Sequence, residues 1–449
     1  MSRFLALPAS AAILVMVVLS TCAAPSTSAS AIAAPSDPLA AGSEQPFMAQ
    51  VVGLQWLNPL QRRDYPTEWQ LLWTLGLAAP NKNDDMVKSD PKSFSTLQSV
   101  SPIAAGNKGK ETFEGYHEKY LDELTARMHD IYFASSRNFY NVHSLENKKT
   151  WRELAGIHVE YALPEGKLDR ATAAAYTQDR IRKVFKIGSA NSPTVWSRAT
   201  LPDVHVTMGG ANAGFTSLKA GLDYLQAHPD ETVWVMNWDA PSFPPKDEQI
   251  NENMVLLVLA GPTYKTERAA LAWLGYPASR AASEFDTHKG KPARAVQAWQ
   301  ATLEQAAGNA GKQDSDIGYV IHDANTTQTT SSQRIASLAQ TLSTELPEFD
   351  FLKQSFNTPA LLGEMGAGTA LTNVALGIAY ANHVGKHVLV AGTSDAANPT
   401  AVLVAPPQVV RPINPEQPWF RARGENNAYL MWWGIRHDET SAPMQGYSK

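Results

Sequence analysis

One arrangement occurs twice in this chain, and it narrows the fold more than any other feature. Gly209-Gly210-Ala211-Asn212-Ala213-Gly214 opens into the helical pattern FTSLKAGLDYLQAH and then the strand TVWVMN. Gly363-Glu364-Met365-Gly366-Ala367-Gly368 opens into TALTNVALGIAYANH and then HVLVAG. Ala213-Gly214 align with Ala367-Gly368, Leu222 with Leu376, and Ala227 with Ala381. Identity is low, but the layout of glycine turn, small-residue helix and strand is the same, as in an internally duplicated fold. The second helix is apolar on nearly every side (Ala370, Leu371, Val374, Ala375, Leu376, Ile378, Ala379, Tyr380). Such a helix belongs between layers, not on a surface.

Strand patterns fall at 50–56, 155–163, 203–208, 232–237, 254–260, 317–322, 388–392 and 401–405, with helical patterns between many of them. That alternation predicts a layered α/β fold. A helix is expected over 67–77, with Thr67 as its cap and Trp69, Leu72, Trp73 and Leu75 on its apolar face. A second is expected over 113–132, carrying Tyr116, Tyr120, Leu124, Met128 and Ile131. Residues 80–112 are polar and read as a loop. With 449 residues, 44% of them hydrophobic, the chain can bury a large core.

The N-terminus speaks to compartment. Arg3 precedes the apolar run Phe4–Leu19, and small residues follow. This is the pattern of a secretory signal, and the run is shorter than the roughly 20 residues of a membrane span. The only cysteine is Cys22, in Leu19-Ser20-Thr21-Cys22. That stretch is similar to a lipobox, with an unfavourable Thr before the Cys. Lipidation at Cys22, cleavage near Ala24 or Ala31, and retention as an anchor all fit. The rest of the chain contains no cysteine and must be held by packing alone. The expected organisation is a signal or lipoprotein-like segment and tether over 1–45. An N-terminal half follows over 46–290, with an insertion at about 80–150, and a C-terminal half over 291–449 ends in an aromatic tail. Net charge is −5 and no basic run stands out, which argues against a nucleic-acid partner.

Common catalytic signatures are broken. Gly392-Thr393-Ser394-Asp395-Ala396 lacks the closing glycine of a nucleophile elbow. The 11 histidines show no zinc spacing, so no metal site is expected. Gly311-Lys312 and Gly109-Lys110 lack the first glycine of a phosphate loop, and neither glycine turn has Rossmann spacing. No cofactor is expected. His322-Asp323 could act as a base with its orienting carboxylate. The simpler reading is a hydrogen-bonded histidine at a strand end.

Several segments, in order, resemble the thiolase-like fold and its ketosynthases. VVGLQWLNPL with EWQLLWTLGL resembles the opening strand and Trp-containing helix. GGANAGFTSLKAGLDYLQ with TVWVMNWD resembles the nucleophile turn, helix and next strand. YVIHDANTT resembles the strand ending in the first catalytic histidine, and LLGEMGAGTALTNVALGIAY the segment of the second. VLVAGTSDAANPTAVLVAPP resembles the closing strand pair. The resemblance implies a layered αβαβα fold of two duplicated halves, in degenerate form. It places the nucleophile at or next to Ala211, whose methyl cannot attack a thioester. His322 falls at the first histidine and Glu364 at the second. Ala211, His322, Asn325 and Glu364 are therefore the expected lining of a vestigial pocket, with no catalytic residue.

QWLNPLQRRDYPTEWQLLWTLGL together with IHVEYALP resembles the type VI lipase adaptor family. That resemblance implies a non-enzymatic periplasmic protein. It would bind a phospholipase effector and hand it to the type VI spike protein, with N-terminal membrane attachment as an option. The tail offers Trp419, Trp432 and Trp433 as candidate partner-binding residues, since Trp dominates interface hot spots; packing of the same rings into a groove is the plainer reading. The alternative function is an enzyme reusing the pocket through His322 and Glu364 on an acyl or other small-molecule substrate. A small-ligand sensor is a third.

Overall fold

A computed structural model of the chain describes residues 46–58, 67–79, 88–92, 112–129, 157–185, 187, 201–242, 251–266, 268–324 and 329–413. The strands are β1 (Ala49–Leu57), β2 (His158–Pro164), β3 (Asp203–Gly209), β4 (Thr232–Asp239), β5 (Asn253–Ala260) and β6 (Trp273–Leu274). They continue with β7 (Ala278–Ser279), β8 (Ile317–His322), β9 (Ser355–Asn357), β10 (His387–Gly392) and β11 (Thr400–Ala405). The helices are α1 (Thr67–Thr74), α2 (Phe113–His129), α3 (Arg170–Val184), α4 (Ala213–Ala227), α5 (Arg294–Asn309), α6 (Thr329–Glu345), α7 (Thr358–Leu362) and α8 (Thr369–Val384).

The sheet carries the duplication. Its order is β3-β2-β4-β5-β1-β6-β11-β10-β8-β9, with β7 beside β11. From the centre outward, and with β7 set aside, each half reads first, fifth, fourth, second and third strand of its own series. In both, the second, third and fourth strands are parallel and the fifth runs against them. The halves meet where β1 and β6 pair antiparallel, Ala49 with Leu274 and Gln50 with Trp273.

Alternation along the strands sorts the helices into layers. On β4, Val233 and Val235 face Gly221 of α4. Trp234 and Trp238 point the other way. Trp238 meets Phe113, His117 and Tyr120 of α2, and Trp234 meets Phe185 at the end of α3. In the second half, Val388, Val390 and Val404 face Gly377 of α8. Leu389, Ala391, Ala401 and Leu403 instead pack with Trp299 and Leu303 of α5 and Leu338 and Leu342 of α6. The resulting order is α2/α3, first half-sheet, α4/α8, second half-sheet, α5/α6. This is the αβαβα layering that the thiolase-like resemblance implies.

The two central helices touch at Gly214. A Cβ there would lie 2.9 Å from the Ala370 methyl and 3.1 Å from Leu371 Cγ. Gly221 and Gly377 do the same between helix and sheet, where a Cβ would lie 2.7 Å from Val235 and 3.1 Å from Val390. These contacts pair Gly214 with Ala370 and Gly221 with Gly377. The structural equivalence thus runs two residues off the sequence alignment of Leu222 with Leu376. The α8 helix is buried over nearly its whole length, as its composition predicts. Trp56, Trp69 and Trp73 are core residues, at 0%, 1% and 6% exposure. Thr67 begins α1, but its hydroxyl turns to β1, where it accepts from the Trp56 amide at 3.2 Å and donates to Gln55 Oε1 at 3.1 Å.

Candidate functional site

The first turn, Gly209–Asn212, leads from β3 into α4. Ala213 N–H donates to the Gly210 carbonyl at 3.0 Å, and Phe215 N–H to that of Asn212 at 3.0 Å. Gly210 is exposed and Ala211 is half-buried. Ala211, at which the sequence resemblance puts a nucleophile, offers only a methyl. Asn212 does not cap its own helix with its side chain. Its Oδ1 instead accepts from Ser394 Oγ at 3.1 Å, reaching across to the loop after β10. Gly392 makes that approach workable, because a Cβ there would lie 2.5 Å from Asn212 Oδ1 and 2.8 Å from the Phe215 ring.

The same loop holds the end of β8. Thr393 donates its backbone N–H and its hydroxyl to Asp323 Oδ1, the latter at 2.8 Å. Burial raises the Asp323 pKa, and the Thr393 bonds pull against that rise. His322, 1% exposed, stacks on Phe351 with ring centroids 5.6 Å apart. Its Nδ1 accepts from the Ala324 amide at 3.3 Å. Burial lowers its pKa to about 4, so the imidazole is neutral near pH 7. Asp323 thus serves Thr393 and does not orient His322. In front of this loop lies a cleft lined by Trp299 of α5, Arg334 and Ser337 of α6, and Thr393, Ser394 and Asp395. The Arg334 guanidinium donates to the Ser394 carbonyl at 3.4 Å.

The second turn leads from α7 into α8 and is held differently. Gly363 has φ +71°, a left-handed conformation, and a Cβ there would strike Asn251 Nδ2 at 2.5 Å. Asn251 donates its side-chain amide to the Leu362 carbonyl and its backbone N–H to that of Glu364 at 2.6 Å. Beyond it, Ala367 N–H donates to Asp239 Oδ2 at 3.0 Å. Asp239, 2% exposed and last in β4, also takes Lys167 Nζ at 2.9 Å and the Ala240 amide at 2.8 Å on Oδ1. Burial raises its pKa, and Lys167 with these amides opposes the rise. Asn253 completes the closure by accepting from Trp56 Nε1 at 2.7 Å and from Thr372 Oγ1 at 3.0 Å.

Ala211 and His322 are joined only indirectly, through Asn212–Ser394 on one side and Thr393–Asp323 on the other. Glu364 does not join them. It is exposed, on the turn that packs against Asp239 and Asn251, and shares no hydrogen bond with His322. His322 ends β8, whereas Glu364 lies on the second turn, and among the described residues no hydrogen bond joins them. Asn325, Trp419, Trp432, Trp433 and Cys22 lie outside the described residues. The sequence reading missed Asn212, Thr393 and Ser394 as the first turn's partners. It also missed the Lys167–Asp239 pair at the second.

The layout is similar to that of solved condensing enzymes. An oxazolomycin ketosynthase domain (OzmH KS8) of Streptomyces albus JA3453 superposes with a TM-score of 0.47 at 11% identity, over 83% of this chain and 99% of that one. The ketosynthase from module 1 of the bacillaene synthase of Bacillus amyloliquefaciens FZB42 gives 0.49 at 7% identity, over 83% and 75%. The 3-oxoacyl-[acyl-carrier-protein] synthase III of Aquifex aeolicus VF5 gives 0.41 at 12% identity, over 80% and 99%. No curated protein sequence matches the chain. Residues 271–406, which enclose β6 through β11 and hence the second copy of the strand order, match the family described as Type VI lipase adapter protein Tla3, C-terminal.

Proposed function

We propose that this protein is a non-enzymatic adaptor that binds a type VI secretion phospholipase in the periplasm and delivers it to the spike protein. The observation that carries the reading is the match of residues 271–406 to the type VI lipase adapter family. Two features support it. The first turn offers Ala211 where condensing chemistry needs a nucleophile, and buried His322 is neutral, with no proton relay through Asp323. The N-terminal run Phe4–Leu19 is that of an exported protein, and attachment through this segment or Cys22 would keep the adaptor at a membrane. The enzymatic alternative needs His322 and Glu364 to act together, and no hydrogen bond joins the two side chains among the described residues.

The test is co-purification of the full chain with the phospholipase encoded beside a type VI spike gene. The adaptor reading expects a stable complex of the two and no acyl adduct on residues 205–215 after exposure to acyl-CoA. Trp432→Ala or Trp433→Ala should weaken the complex by about 2 kcal/mol if the tail supplies hot spots. Absence of a complex with the phospholipase, or an acyl adduct on the first turn, overturns the reading.

A further inference from the structure

At the far edge of the sheet, strand pairing assembles what the linear sequence separates. His158 lies opposite Asp203, and Glu160 opposite His205, in the parallel register of β2 and β3. Residues two apart on a strand share a face. His-x-Glu on one strand and Asp-x-His on its neighbour therefore stand as a square on one face. His158 Nδ1 lies 3.3 Å from Asp203 Oδ2, and His205 Nε2 lies 2.7 Å from the same oxygen. These three ligand atoms are all within 4.8 Å of one another. The second nitrogen of His158, Nε2, is 3.0 Å from Glu160 Oε1.

From this geometry we infer a divalent transition-metal site, with zinc as the leading ion, formed by His158 Nδ1, Asp203 and His205 Nε2. Zinc binds imidazole nitrogen and carboxylate oxygen at about 2.0–2.2 Å, which sets ligand atoms about 3–3.5 Å apart around the ion. The 3.3 Å separation already fits, and the 2.7 Å one opens by a few tenths of an ångström once a cation replaces the hydrogen bond. Glu160 has the role that a metal-bound histidine requires of a second carboxylate. It accepts the remaining ring N–H and fixes the tautomer, leaving Nδ1 to face the ion. Tyr224 of α4 lies flat on the His158 ring, with centroids 3.7 Å apart at 4°, so the buried ligand is held in orientation. Asp203 and His205 are exposed, at 64% and 54% of their side chains, so the ion has an entry path. Three protein ligands leave a fourth position for water or for a side chain of a partner. The bound ion would also tie edge strand β3 to β2. This inference is independent of the adaptor reading.

Tag-free, chelator-treated full chain titrated with zinc chloride by calorimetry should bind one equivalent, and Co²⁺ in its place should give visible ligand-field absorption. His205→Ala and Asp203→Asn, both at exposed side chains, should weaken zinc by at least about tenfold each, and Glu160→Gln by about 10- to 100-fold. His288→Ala, an exposed histidine elsewhere, should leave binding unchanged. Zinc should raise the melting temperature of the wild type and not of His205→Ala. No saturable binding by the wild type, or binding indifferent to His205→Ala and Asp203→Asn, overturns the site and leaves the cluster as a hydrogen-bond network.

Discussion

The two glycine turns at the heads of α4 and α8 occupy equivalent places in a duplicated fold, yet one is sealed and the other is not. At the α8 turn, Asp239 gathers Lys167 and two backbone amides with almost no exposure. At the α4 turn, the corresponding partner is Ser394, an exposed hydroxyl holding Asn212, beside a cleft that reaches Trp299 and Arg334. A charge removed from water is tolerable only when fully paired, so the α8 turn is fixed by its own energetics. The neutral Asn212–Ser394 contact imposes no such condition. Duplication has left one copy to brace the centre of the molecule while the other kept an accessible mouth.

The sharpest way to break this comparison is Asp239→Ala. It leaves the Ala367 amide without its acceptor and Lys167 with only the Ala240 carbonyl, and should cost about 3 kcal/mol, read by chemical denaturation. A loss no larger than that of an ordinary surface change would show that the α8 turn is not electrostatically locked. Next in size is an acid effect at His322. Its folded pKa, about 4, lies below the free value of about 6.5. Above that range both states are neutral and pH has no effect through this group. Between the two values the unfolded chain takes up a proton that the folded one refuses, so stability falls as pH falls. From pH 7 to 4 the wild type should lose up to about 3 kcal/mol more than His322→Asn. Equal losses would mean that the ring is protonated in place. Smallest is Ser394→Ala, expected to change stability by under about 1 kcal/mol. A loss matching that of Asp239→Ala would make the two turns equivalent after all.

Much of the frame was legible because burial writes period into sequence. The all-round apolar face of α8 and the runs of β4, β5, β10 and β11 announced buried elements. The short members were not legible. Trp273–Leu274, Ala278–Ser279 and Ser355–Asn357 are too brief to show alternation, yet β6 joins the halves. The internal alignment slipped by two residues because it followed repeated Ala, Gly and Leu identities, whereas the fold equates positions by close approach at Gly221 and Gly377. Site partners were hidden for a related reason. Lys167 meets Asp239, and Asn212 meets Ser394, only after distant segments have been brought together. The His158–Asp203–His205 group was invisible to a search for linear zinc spacing because its ligands alternate along two strands. Asp203-x-His205 and His158-x-Glu160 were the available signal.

The central position of β1 has a consequence for how the molecule comes into being. The first described strand pairs with β5, Gln50 against Ala260, and with β6, Gln50 against Trp273. Neither partner exists until more than half of the chain has left the ribosome. Until then the apolar strand AQVVGLQWL has no place to go. Closing a loop of that length precedes any reward from the pairing, so this ordering step is a slow, long-range one. For most of synthesis this protein is an open chain with an unpartnered hydrophobic beginning, in need of shelter from aggregation.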